Sequence, residues 1–221
     1  MADARGTSPV LSKSETLLVG LSRTGAVGLL LLVCLLSGIG QVFPRDQLPT
    51  RPEGTQYFPQ GALSMVSHTH YQKFLTAMNE PTLYNPSRTD GREAYRLLWL
   101  RTFDPPVALR LTVLADGSGE LAVKQADGQG GYYPGQLVVD RAVRLGGTQV
   151  RSFVDALARS RFWSLATKEP TAALDGADWV LEGVKGRRYH IVDRKSPESG
   201  TLRDAMTLLL SLSGLDLGRV Y

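Results

Sequence analysis

Between residues 93 and 194 apolar and polar positions alternate with a period of two, interrupted by clusters of Gly, Pro, Asp and Ser. Tyr95, Leu97 and Trp99 alternate ahead of a turn at Asp104, Pro105 and Pro106, and Val107, Leu109, Leu111 and Val113 continue the rhythm. A tight hairpin at residues 116–119 returns the chain along residues 121–125, which predicts a meander of antiparallel strands. Residues 137–145 form another strand candidate after a glycine-rich stretch, residues 128–135, expected to be a mobile connection. A second hairpin spans residues 179–194, with Lys185 and Gly186 expected at its tip.

In three places the apolar spacing changes to three and four, the period of a helix. Leu63, Val66, His70, Phe74 and Met78 would share one face of a helix over residues 62–78. Thr148 is the expected N-cap of a second, carrying Val150, Phe153, Val154 and Leu157 and ending near Arg159, with Phe162, Trp163 and Leu165 as a packing plug behind it. Residues 199–212 close the domain as an amphipathic helix. The order of four strands, helix, two strands, helix predicts an α+β domain over residues 62–221: an antiparallel sheet with helices packed on one face.

Ahead of this domain the pattern is of another kind. Residues 24–42, TGAVGLLLLVCLLSGIGQV, hold no acidic or basic side chain. As a helix they would reach about 28 Å, close to the hydrocarbon thickness of a bilayer. Arg5, Lys13 and Arg23 precede the run while Arg45 and Arg51 follow it, a bias that places residues 1–23 in the cytoplasm and the large C-terminal part outside. Residues 43–61, with Pro44, Pro49, Pro52 and Pro59, have the composition of an extended tether. The expectation is a single-pass signal-anchor protein of the bacterial inner membrane with a periplasmic or extracellular domain. A cleaved signal peptide, suggested by Gly38 and Gly40, is the competing reading.

Charge adds an exclusion. Twenty-five basic residues against 21 acidic ones give a net charge of +4, and the two signs are interleaved, unlike the one-sided basic face of a nucleic-acid binder. The sole cysteine, Cys34, lies inside the apolar run, so the domain beyond it can form no internal disulfide and offers no thiolate.

Candidate chemistry is sparse, and no cofactor or metal is expected. A helix would splay His68 and His70 by about 200°, which makes a poor metal pair. His190, Asp193 and Ser196 suggest a hydrolase, yet neighbours on one strand point to alternate faces. Asp175, Asp178 and Glu182 could act as acid and base, whereas turn chemistry accounts for Asp175 and Asp178, and Glu182 could pair with Arg187 or support Tyr189. The glycines of residues 128–135 precede no Lys followed by Ser or Thr, so they form no phosphate cradle.

With Lys185 and Gly186 at the tip, Leu181 would pair with His190 and Trp179 with Val192. One face of the hairpin then carries Trp179, Leu181, Arg188, His190 and Arg194, an aromatic platform edged by guanidinium groups and suited to an anionic partner. Val180, Val184, Tyr189 and Ile191 would face the core. The alternative is that Trp179 and Leu181 also pack under a helix, with the arginines as solvated surface.

The segments DALARSRFWSL and DGADWVLEGVKGRRYHIVDRKSPESG, with the helix after them, resemble a pattern found in uncharacterised bacterial exported or membrane-anchored proteins, over about residues 95–215. That resemblance implies a bacterial origin and the same fold, and supplies no catalytic residue. The functional expectation is therefore a membrane-tethered, non-catalytic interaction or accessory domain with envelope protein partners, binding through Trp179, Arg188, His190 and Arg194. The alternative is an envelope hydrolase using His190 with Asp178 or Glu182.

Overall fold

A computed structural model describes residues 56–87, 90–170 and 176–221. The expected cytoplasmic tail, transmembrane helix and most of the tether lie outside them. Among the described residues no helix is long and apolar enough to cross a membrane.

The predicted element order holds. Helix α1 (Met65–Ala77) is followed by β1 (Glu93–Arg101), β2 (Val107–Val113), β3 (Gly119–Ala126) and β4 (Leu137–Leu145). Helix α2 (Gly147–Arg159) and a single 3-10 turn (Phe162–Ser164) lead to β5 (Ala177–Lys185), β6 (Arg188–Lys195) and α3 (Thr201–Leu212). All strand pairs are antiparallel, in the order β4-β3-β2-β1-β5-β6, so the meander and the second hairpin join through β1 and β5.

Helices cover both faces of the sheet rather than one. On the first face Phe153, Leu157, Met206 and Leu209 of α2 and α3 pack on Tyr95, Leu97, Trp99, Leu109, Leu121, Trp179 and Leu181. On the second, Tyr71, Phe74 and Leu75 of α1, with Tyr57 and Phe58 ahead of it, pack on Leu98, Leu100, Ala108, Val180 and Ile191. The clue lay between the residues of the apolar alternation: Leu98 and Leu100 in β1 and Val180 in β5 are themselves apolar, as expected of strands buried on both sides. Each such large side chain contributes about 1.5–3 kcal/mol on full burial.

Two helix starts differ from expectation. In α1 the Ser64 hydroxyl accepts the Ser67 amide, and the buried stripe is Tyr71, Phe74 and Leu75, leaving Val66 81% exposed. In α2 the N-cap is Gly146, whose N–H donates to the Gln149 side chain at 3.0 Å, and Thr148 falls inside the first turn.

The sheet's two edges are unlike. Along β6, Asp193 donates its N–H to the Thr167 carbonyl at 2.6 Å and bridges to Lys168, so residues 167–168 cover that edge. At the opposite end, among the described residues, β4 has a strand partner on its β3 side alone.

Candidate functional site

The second hairpin pairs Lys185 with Arg188 and Leu181 with Val192, which puts Gly186 and Arg187 at the tip, one residue later than expected. Gly186 has φ +58°, a conformation that costs glycine little. The shift moves the pairing sum by two and so keeps every residue on its expected face: Trp179, Leu181, Arg188, His190 and Arg194 do lie together.

That face belongs to the core, however, and is no open platform. Trp179 is 0% exposed; its ring lies 5.3 Å from that of Trp99, and its Nε1 donates to the carbonyl of Tyr221 at 3.0 Å. Arg194 is 7% exposed, donates to the carbonyls of Ala166, Thr167 and Asp193, and pairs with Glu169 at 2.8 Å. His190 packs edge-on against Phe162 at 5.1 Å. Burial lowers its pKa; a hydrogen bond with the Leu165 backbone opposes this, and Arg188 and Arg194 add to it. Arg188 alone is open to solvent, lying 4.8 Å from the Trp163 ring and donating to the Trp163 carbonyl. The packing alternative thus holds for Trp179 and Leu181, and Arg194 is buried with them.

The acid and base candidates are not brought together. His190 points to the α2 and α3 face, whereas Asp178 and Glu182 point to the α1 face. Asp178 pairs with Lys195 at 3.2 Å. Glu182 accepts from Arg96 Nε at 2.7 Å and from the Tyr189 hydroxyl at 2.8 Å, so its support of Tyr189 is as expected. Burial raises the Glu182 carboxyl, and Arg96 and Tyr189 pull it partway back. Ser196 accepts from the Ala177 N–H, while Asp193 on the other face accepts from the Tyr71 hydroxyl. His68 and His70 pack against different rings, Phe58 and Phe74. Asp175 lies outside the described residues. Among those residues, no three His, Cys, Asp or Glu side chains gather as metal ligands.

Two features escaped the sequence reading. The first is a buried charge web under the segment after α1: Glu80 meets Arg110 at 3.0 Å, Lys124 at 3.4 Å and Arg96 at 3.6 Å, while Arg96 also binds Glu182 and donates to the Pro81 carbonyl. Burial works against the Arg96 charge but Glu182 and Glu80 outweigh it, so its pKa is raised. Arg96 and Glu182 are charged residues inside apolar strands, the one signal that could have revealed the pair. Closed to solvent, the web fastens residues 80–81 to the sheet.

The second is an aromatic rim. Phe103 (61% exposed), Tyr132 (56%) and Tyr133 (52%) project from the β1–β2 and β3–β4 connections, the first two with ring centroids 6.0 Å apart. The glycine-rich connection behind them is laced in place rather than free. Gly128 donates to the Pro134 carbonyl, Gln129 to that of Tyr133, Gly130 to that of Asp104 and Gly131 to that of Thr102. A Cβ at Gly130 would stand 2.5 Å from the Arg101 carbonyl oxygen, so glycine is what permits this close approach. Lys73 of α1 donates to the Tyr132 carbonyl at 3.2 Å. Beside the rim, His68, Thr69, Gln72, Lys73 and Pro134 line an open groove of about 440 Å³. Large, ring-bearing side chains held out on a fixed loop suit recognition by contact.

No protein-family model matches the chain, and no curated protein matches it either.

Proposed function

We propose that this chain is a membrane-tethered, non-catalytic interaction domain on the outer side of the bacterial cytoplasmic membrane, serving as an accessory to an envelope protein partner. The observation that carries this reading is the rim of Phe103, Tyr132 and Tyr133, exposed on connections held by backbone hydrogen bonds, with a groove lined by Lys73 and Pro134 beside it. Aromatic side chains concentrate binding energy at protein interfaces, and fixing them beforehand lowers the entropic cost of binding. The rim replaces Trp179 and Arg194, whose burial removes them from contact with a partner. Engagement of His190, Asp178 and Glu182 in separate packing and ion-pair roles further favours binding over acid–base chemistry.

The test uses the full chain, expressed in bacteria and purified from detergent-solubilised membranes. The wild type should retain a protein partner that Tyr132→Ala with Tyr133→Ala loses, with both proteins equally folded. Equal retention would overturn the assignment to the rim. A reporter fused after Tyr221 should work only in a form active outside the cytoplasm, and cytoplasmic activity would overturn the orientation.

A further inference from the structure

The open edge of β4 points to a different partner, and independently of the aromatic rim. An unpaired edge strand exposes a row of backbone donors and acceptors that can template another strand. The β6 edge is covered by residues 167–168, whereas β4 offers nine residues with no strand on its outer side among the described residues. We propose that β4 pairs antiparallel with β4 of a second copy about a two-fold axis at Ala142, joining the two sheets into one.

The side chains select that register. A two-fold axis perpendicular to the sheet keeps like faces together, so it must pass through a residue rather than between two. Centred on Arg141 it sets guanidinium against guanidinium, and centred on Asp140 carboxylate against carboxylate, each unfavourable. Centred on Val139 or Val143 it makes no charge pair. Centred on Ala142 it sets Asp140 opposite Arg144, and symmetry makes that pair twice. Arg141 then lies opposite Val143, and Val139 opposite Leu145.

Side-chain placement in the single copy fits this. Asp140, Ala142 and Arg144 share one face and are all exposed. Arg144 makes a loose contact with Asp116 at 3.7 Å, both well exposed, and can turn to a new partner at little cost. Arg141 is drawn toward α3 by donating to the Ser213 carbonyl at 2.7 Å, which keeps its charge from the seam.

Sedimentation equilibrium of the full chain in detergent should show a dimer that Asp140→Arg or Arg144→Asp alone weakens by about tenfold or more in Kd, since each turns both attractive pairs repulsive. The exchange Asp140→Arg with Arg144→Asp should restore it. In a Cys34→Ser background, Ala142→Cys should form an intermolecular disulfide under mild oxidation, because residues opposite on a pair of strands bring their Cβ atoms to about 5 Å. Glu120→Cys, on the neighbouring strand, should not. Circular dichroism confirms folding of each variant, all being at exposed positions. A chain that stays monomeric, a dimer indifferent to the charge changes, or equal cross-linking at residues 120 and 142 would each overturn the proposal.

Discussion

Arg96 and Glu182 are direct cross-strand partners in the middle of the sheet, with Arg96 Nη2 2.5 Å from Glu182 Oε2 and both side chains closed to solvent. Two central strands are therefore joined by an ion pair where a hydrophobic pair would ordinarily sit. Its strength is conditional, because each charge is tolerated only while the other is present.

Glu182→Ala should thus destabilise by about 3–5 kcal/mol, chiefly by leaving Arg96 buried against Glu80 alone. Arg96→Met combined with Glu182→Leu removes both charges and should recover at least half of that loss. Denaturant midpoints of the three proteins check this. If the double variant is as unstable as Glu182→Ala, the hydrogen bonds to Pro81 and Tyr189 matter more than the charge balance.

The same pair marks where the sequence was legible and where it was not. The strands of β1, β2, β3 and β5 could be read from their first-face residues, Tyr95, Leu97, Leu109 and Trp179, because alternation reports a buried face directly. Coverage of the second face was concealed by Arg96, Lys124 and Glu182, whose charges mimic a solvated side until Glu80, from the segment between α1 and β1, closes over them. Periodicity carries no information about such a distant partner. The rim was hidden for a related reason: glycine composition is the same for a free loop and for one whose glycines admit a neighbouring backbone.

Gly130→Ala distinguishes those two kinds of loop. A methyl group 2.5 Å from the Arg101 carbonyl oxygen cannot be accommodated without moving backbone, so a loss of about 1–3 kcal/mol is expected, together with displacement of Tyr132. Gly117, at φ +80° with open space around it, provides a contrast in which backbone conformation alone is tested. Thermal melts of Gly130→Ala and Gly117→Ala give the comparison, and an unchanged midpoint for Gly130→Ala would return the connection to a mobile one.

Stability should fall on mild acidification through His190 and His70, both with burial-lowered pKa values. In the window below the ordinary imidazole value of about 6.5 the unfolded chain binds more protons than the folded one, so stability rises with pH there and is lost as pH drops. His190→Phe with His70→Phe should flatten the dependence of the urea midpoint on pH between about 5 and 6.5. A slope as steep as that of the wild type would assign the acid sensitivity to carboxylates instead.

The arginines of the second hairpin separate surface from buttress. Arg194 reaches three backbone carbonyls and Glu169 from a buried position, tying residues 166–169 over the β6 edge. Arg194→Ala removes the guanidinium donor from these carbonyls, of which Thr167 keeps the Asp193 N–H, and should cost about 1–3 kcal/mol. Arg188, exposed beside Trp163, should cost about 0.5 kcal/mol or less as Arg188→Ala. Ile191→Ala, beneath α1, sets the scale for a core deletion at about 2–5 kcal/mol. Thermal melts of the three variants therefore should order Ile191 and Arg194 well below Arg188. Were Arg194→Ala to melt with Arg188→Ala near the wild type, the β6 edge would be held by the contacts of Asp193 with Thr167 and Lys168, and the segment covering it would owe nothing to the guanidinium.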